Sequence, residues 1–516
     1  MRIVRKDLLK FVVEHITNYP SPVNLNFNWG FGSLALFYLI VQILTGVILT
    51  IYYVPSAEHA FESVQFIMRE VNYGWLVRYG HTTGSSVFFA VVYLHIGRGL
   101  YYGSYYYPRI LVWYSGLIIF LLMMATAFFG YILPWGQMSY WAATVITNLF
   151  ATIPYIGEQF TQWLWGDYSV GPATLKRFFT FHFVLPFLIL GFVLVHIVLL
   201  HRVGSSNPIG RDHPYQLPLY PYFFIKDTSI VFFSLIIFIV LLSWYPNIFI
   251  HPDNNIAANP LVTPEHIVPE WYFLPFYAIL RTIPSKFLGF ICMILSILVM
   301  FIIPFLGVNQ VYRAARYQFL QRYFFLLFIG NFLVLGWLGG CTIEYPYLFL
   351  SRICTAYYFA FLFVINPFLS TLVSYIHNVI ILNFMDLIEE DLEDLIAIGQ
   401  EGYVFIEYFT NSDVYDELDV EEYPDIMLIA DRVNTFRTEV EDPYEAEFFD
   451  VDYNLIKKNM RSPRTYILTE QEFEPYADYH LESTKDNPLL IKVLAIIMDQ
   501  RYVRSRVVEY YVEMYS

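Results

Sequence analysis

Four of the 12 histidines stand at one repeated interval: His81 and His95 are separated by thirteen residues, and so are His182 and His196. Each pair lies in an apolar stretch, where an ionisable side chain is costly and marks function. On an α-helix, fourteen steps leave two side chains within ~40° of one face and ~21 Å apart along the axis. One apolar crossing separates the two stretches, so they run parallel, and His81 is expected opposite His182 and His95 opposite His196. Imidazole is a good ligand for iron. Glycines repeat the same interval, at Gly32 and Gly46 and again at Gly116 and Gly130. Their stretches run antiparallel to the histidine ones. Gly46 and Gly130 therefore fall at the depth of His81 and His182, and Gly32 and Gly116 at the depth of His95 and His196. Small residues also serve plain helix packing, but packing does not require a shared interval, whereas a flat macrocycle needs backbone free of side chains at its own depth. The pattern predicts two non-covalent bis-histidine haems, one above the other across a bilayer. Arg78 and Arg98, at the two ends of the first histidine stretch, are placed to meet their propionates, or else to snorkel to the interface. Iron with two histidines has no open position, so the expected chemistry is electron transfer.

The rest of the chain fits a membrane setting. Of its 516 residues, 57% are hydrophobic, 20% aromatic and only 15% charged, and the mean hydropathy is +0.48. An average soluble domain has roughly 25% charged residues. Disorder, nucleic-acid binding and an ordinary soluble enzyme are excluded on that basis. Apolar runs long enough for ~30 Å of hydrocarbon lie near 31–53, 76–103, 111–132, 178–200, 228–246, 287–306, 322–339 and 350–375. The stretch 137–165, broken by Pro154 and Gly157, reads as two short interfacial helices, and 268–283 is broken up by Pro269, Pro275 and Pro284. Cys292, Cys341 and Cys354 are far apart, which argues against a covalent haem motif, a zinc site or a disulfide framework. No secretory signal or transit peptide is apparent in the first residues.

The net charge of −15 divides into +6 over residues 1–380 and −21 over 381–516. Lys and Arg in the short loops favour the N-terminal side by 11 to 6. That makes it the negative (n) side, matrix or cytoplasm, with the p side opposite. Eight crossings bring the C-terminus back to the n side. A transmembrane potential of 100 mV opposes moving a charge by roughly 2.3 kcal/mol, so the n-side haem should be the better electron acceptor. The expected fold is an all-α membrane protein with eight transmembrane helices. Residues 1–30 form an n-side segment, 31–210 a di-haem four-helix bundle and 211–380 the C-terminal membrane helices. An acidic soluble n-side extension follows at 381–516.

Longer strings then carry a resemblance. They are Asn72-Tyr73-Gly74-Trp75, the run Gly97–Ser104, the run Gly130–Met138, Gly204-Ser205 with Asn207-Pro208, and Pro269-Glu270-Trp271-Tyr272. Over about residues 25–375 the chain resembles the mitochondrial cytochrome b family of ubiquinol–cytochrome c reductases (complex III). The resemblance implies a p-side quinol oxidation site lined by Phe129, Tyr131, Ile146, Pro269, Glu270 and Tyr277, with Tyr272 beside them. Glu270 is the expected proton acceptor, because a carboxylate in an apolar setting has its pKa raised toward neutral. It also implies an n-side quinone reduction site with His201, Ser205, Asp227 and Ser33. Gly30 departs from the family, in which Asn is common. The implied mechanism is the Q cycle: ubiquinol releases two protons on the p side, one electron goes to a Rieske iron–sulfur subunit and on to a cytochrome c subunit, and the other crosses the two haems to reduce ubiquinone. The implied setting is the mitochondrial inner membrane. There the chain would contact membrane lipid and other complex III subunits, in a homodimer of the complex, with no nucleic acid. On the residues alone, a di-haem anchor of another oxidoreductase and a non-redox transporter remain open. A reduced-minus-oxidised spectrum separates them.

Two further expectations concern the tail and an inhibitor. Asp386–Asp394 holds six acids in nine residues, yet 403–409, 426–430 and 489–498 are apolar enough to bury. A partly folded n-side extension docking on neighbouring subunits is expected. At Ala142, strobilurin-sensitive relatives usually have Gly, so a methyl group is expected to crowd a rigid inhibitor more than a flexible quinol. Overpacking costs about 1–3 kcal/mol, and 1.4 kcal/mol is tenfold in binding. Native turnover should resist strobilurin, and Ala142→Gly should tighten inhibition by roughly tenfold or more. Equal titration curves for both would disprove it.

Overall fold

The computed structural model describes residues 17–210, 215–306, 314–315, 318–373 and 375–376. The expected extension at 381–516, the start of the N-terminal segment and Arg211, Arg313 and Arg316 lie outside the described residues. Among the described residues the regular elements are helices, apart from a two-stranded antiparallel ribbon of β1 (Pro20–Pro22) and β2 (Gln216–Pro218). The helices are α1 (Phe31–Thr50), α2 (Ala60–Arg69), α3 (Gly74–Tyr101), α4 (Ile110–Ile132), α5 (Gln137–Thr147), α6 (Gly157–Trp165), α7 (Pro172–Val203) and α8 (Phe224–Trp244). They continue as α9 (Leu274–Thr282), α10 (Lys286–Ile302), α11 (Phe319–Gly340) and α12 (Tyr347–Ala360), which runs on through a wider turn at Phe361–Ile365.

Seven helical segments among the described residues are long and apolar enough to cross a membrane. The expected second span is α3, a helix of 28 residues that is not one of the seven. Its Arg78, His81, Thr82, Thr83, Ser85, Ser86, His95 and Arg98 lower its hydropathy. The segment 137–165 forms α5 and α6, and 271–282 is helical despite Pro275, which sits in the first turn of α9, where a missing N–H costs nothing. The outward faces carry large apolar side chains such as Leu188, Val198, Phe232, Phe233 and Ile237. Contiguous apolar exposure on this scale requires a lipid surround.

The first half is two helix pairs, α1 against α3 and α4 against α7. Each joins a helix with the repeated glycines to one with the repeated histidines. The second half is knitted by polar clamps on freed carbonyls. Pro304 cannot donate to the Met300 carbonyl, and the Trp113 indole of α4 takes that place at 2.8 Å, while Tyr114 donates to the Phe301 carbonyl at 2.9 Å. The last carbonyls of a helix lack a full set of helical donors. At the end of α11, Arg281 of α9 donates to Gly339 and Cys341 at 2.7 and 3.0 Å and shares the Leu338 carbonyl, at 2.8 Å, with the Cys341 N–H. In hydrocarbon each such group left bare would cost several kcal/mol.

Close approach of α9 to α11 also depends on Gly339. A Cβ there would sit 2.8 Å from the Leu274 carbonyl carbon, and backbone cannot yield as a side-chain end does. Gly339→Val should destabilise the protein by about 1–3 kcal/mol or more. Thermal unfolding of the detergent-purified protein checks this, and an unchanged midpoint would disprove it.

Candidate functional site

The four histidines meet as two pairs. The ring centres of His81 and His182 are 6.0 Å apart with planes at 88°, and those of His95 and His196 are 6.4 Å apart at 62°. A metal ion held linearly between two imidazole nitrogens at about 2.0–2.1 Å each, plus about 1.1 Å from nitrogen to ring centre, sets roughly 6.2–6.4 Å. The ring separations of 6.0 and 6.4 Å are close to the span a metal ion between them would set. Each ring has its own glycine: a Cβ would stand 3.1 Å from His81 at Gly46, 3.3 Å from His95 at Gly32 and 3.2 Å from His196 at Gly116. At Gly130 it would collide with the His182 ring.

The far nitrogens are held as metal ligation requires. His81 Nδ1 faces Thr45 Oγ1 at 2.9 Å, His196 Nδ1 faces Ser115 Oγ at 2.8 Å, and His182 Nδ1 donates to the Thr126 carbonyl at 2.8 Å. Thr45 and Ser115 pass their own protons to Val41 and Val112 carbonyls at 2.6 and 2.9 Å, which leaves their oxygens free to accept from Nδ1–H. Nε2 is then the lone-pair nitrogen. His95 differs, since Arg98 donates to its Nδ1 at 3.1 Å, and the Arg98 Nε is buried without a partner. An anionic group at this end would satisfy Nε and draw the guanidinium off the ring. The sequence reading missed Thr45 and Ser115. The available signal was a hydroxyl residue directly before Gly46 and Gly116 in otherwise apolar helices.

A cavity opens beside the first pair, lined by His81, His182, Gly46, Gly130, Arg78, Tyr131, Glu270 and Tyr272. Phe129, Ile146, Pro269, Tyr277 and Ala142 are not in its lining. Phe129 packs on Phe178 and Phe181, with ring centres 4.8 and 5.4 Å away, Tyr277 lies under the Arg281 guanidinium at 4.6 Å, and Ala142 is 2% exposed on α5. Tyr272 fastens its segment to α3. Its ring stacks on Phe89 at 4.0 Å, its carbonyl accepts from Tyr93 at 2.5 Å, and its hydroxyl meets the Ser85 side chain. Burial raises the Glu270 carboxyl to about 7, with the Arg78 charge opposing the shift. Asn254, also missed from sequence, accepts at Oδ1 from the Ser139 N–H at 2.9 Å, and the Ser139 hydroxyl donates to the Tyr131 carbonyl at 2.6 Å.

At the other end, Ser33 donates to Asp227 at 2.5 Å, and Lys226 pairs with the same carboxylate at 3.1 Å. The structure joins His201 to Tyr19, with rings stacked at 4.1 Å, and the Ser205 carbonyl accepts from Arg109 at 3.2 Å. Gly30 has its side-chain space filled: a Cβ would collide with Ile230 and stand 3.1 Å from Asp227 Oδ1.

The family described as cytochrome b/b6/petB matches residues 16–204, and cytochrome b(C-terminal)/b6/petD matches residues 257–359. Cytochrome b of Phytophthora megasperma is 52% identical over 377 residues, covering 73% of this chain and 98% of the relative. Cytochrome b of Acanthamoeba castellanii is 49% identical over 378 residues, covering 73% and 98%. Cytochrome b of Rickettsia conorii is 54% identical over 358 residues, covering 69% and 90%. A chain of a solved structure titled "Hyperthermophilic respiratory Complex III" is 35% identical with a TM-score of 0.67, covering 72% of this chain and 98% of that one. With two histidine pairs on a glycine-lined helical bundle and about half of the residues in each aligned stretch identical to such relatives, the chain belongs to the cytochrome b family.

Proposed function

We propose that this chain is the di-haem membrane subunit of a ubiquinol–cytochrome c reductase of the complex III type. It takes electrons from ubiquinol on the p side and delivers them to ubiquinone on the n side, with protons released on the first side and taken up on the second. The observation that carries this reading is the spacing of two imidazole pairs at the span of one metal ion. His81 and His182 hold the p-side haem and His95 and His196 the n-side one. Gly32, Gly46, Gly116 and Gly130 leave the space the macrocycles need. Haem bound in each pair supplies one-electron transfer across the bilayer. The partners are a Rieske iron–sulfur subunit, a cytochrome c subunit and other subunits of the complex, which works as a homodimer. The setting is the mitochondrial inner membrane, with eight crossings and both termini on the matrix side.

The protein's own part is to handle protons and exclude water. Glu270, at about 7, is ionised in part at neutral pH and accepts a proton at its carboxylate from the quinol hydroxyl. Arg78 keeps enough of the carboxyl ionised to serve as that base, and Tyr131 and Tyr272 close the site around it. On the n side, Asp227 holds the Ser33 hydroxyl proton at Oδ2 and is itself balanced by Lys226. That arrangement positions a carboxyl to hand a proton to a quinone oxygen, and His201 and Ser205 flank the same end.

Two experiments test this reading. His182→Leu should abolish the p-side component of the reduced-minus-oxidised spectrum, and His196→Leu should abolish the n-side one. Loss of the same component in both variants would overturn the pairing. Glu270 must be ionised to accept a proton, so quinol oxidation should rise with pH through about 7 and fade below it. Glu270→Gln should lower the rate by roughly tenfold or more and flatten that rise. An unaltered pH profile in the variant would assign the proton to another group.

A further inference from the structure

The turn of α3 that carries His81 is gripped from outside. In an α-helix, the N–H of residue 85 and the carbonyl of residue 81 form one rung of the ladder. The side-chain amide of Gln42, on α1, pairs with both ends of that rung. With its amide oriented to satisfy both contacts, it donates to the His81 carbonyl at 2.9 Å and accepts from the Ser85 N–H at 3.2 Å. A side chain engaged in the ladder in this way is a recognised cause of local helix bending. Gly84 makes the approach possible, since a Cβ there would collide with the end of the Gln42 amide. The neighbouring Thr45, which faces His81 Nδ1 at 2.9 Å, also touches the Gln42 carbonyl at 3.3 Å. One stretch of α1 therefore holds both the ring and the backbone of His81.

The opposite ligand shows the same departure by another route. Four residues beyond His182 stands Pro186, inside α7, which has no N–H to give the His182 carbonyl. On the n side, the residues four beyond His95 and His196 are Gly99 and Leu200, each with an N–H. Perturbed rungs thus occur behind both p-side histidines. Ser85 adds a link to the quinol pocket, because its side chain meets the Tyr272 hydroxyl.

We infer that Gln42 is a positioning residue for His81. By fixing the rung behind the ligand from a different helix, it sets the orientation of the imidazole and so the properties of the p-side iron site, leaving the n-side site untouched. The inference rests on the reading of His81 and His182 as haem ligands. It differs from general packing, because loss of packing would lower the amount of both haems without moving one selectively.

The test uses the purified complex carrying Gln42→Leu, of similar size but without polar ends, and separately Gly84→Ala. Potentiometric titration and low-spin EPR, which reads the angle between the two imidazole planes, are recorded for both haems. The p-side component is identified as the one lost in His182→Leu. The expected result is a shifted midpoint potential and altered EPR anisotropy of the p-side haem alone, the same in both variants and no larger in the double variant. Gln42→Glu, whose protonated carboxyl offers a donor and an acceptor, should return the p-side signal toward wild type. A p-side haem unchanged in Gly84→Ala and in any Gln42→Leu complex that assembles, or an equal shift of both haems, would overturn the inference. A native complex without two b-type signals would instead overturn the di-haem reading on which it rests.

Discussion

Between the helices of the first half, two imidazole rings must face each other at 6.0 Å at one depth and 6.4 Å at another. At Gly130 a side chain would collide with a ring, and at Gly32, Gly46 and Gly116 it would press within 3.1–3.3 Å of one. The rings thus favour glycine at four positions, on the helices α1 and α4 that pack against α3 and α7. The histidine helices cannot be purely apolar, because each ring needs a partner for its far nitrogen in a medium without water. The glycine helices supply it through Thr45, Ser115 and the Thr126 carbonyl. A hydroxyl next to the required glycine lies at the right depth, so space and hydrogen bonding are delivered by adjacent residues.

The same lack of water governs the second half. Carbonyls freed by Pro304 and by the end of α11 would each be costly in hydrocarbon, and each is taken by a long donor from another helix. These donors, Trp113 and Arg281, join elements distant in sequence. They hold α4 against the end of α10 and α9 against the end of α11. Arg281 also covers Tyr277, so the clamp that closes a helix end also supports the segment that follows Glu270.

Features with a period or an intrinsic polarity were legible from sequence. The fourteen-residue intervals placed the histidines and glycines at matching depths because helical rise and rotation are fixed. Ser33, on the first span, and Asp227, beside the loop between the fourth and fifth spans, were singled out through the family resemblance, and they meet at 2.5 Å. Contacts without a period were not legible. Gln42 is one polar residue in an apolar span, and only the folded backbone brings it to His81 and Ser85. Asn254 lies in a loop whose path is set by bonds to the turn before α5, such as Gln137 N–H to the Ile256 carbonyl at 2.9 Å. The second span was the reverse case. Composition understated α3 because the residues that make it useful also make it polar.

The two ends of the bundle differ in how they hold charge. At the His81–His182 end, burial raises the Glu270 carboxyl to about 7, with the Arg78 charge working against that shift. At the other end, Asp227 has a lysine at 3.1 Å and a hydroxyl donor at 2.5 Å. The fold thus gives the same type of side chain two settings, burying one near an arginine and joining the other to a lysine and a hydroxyl.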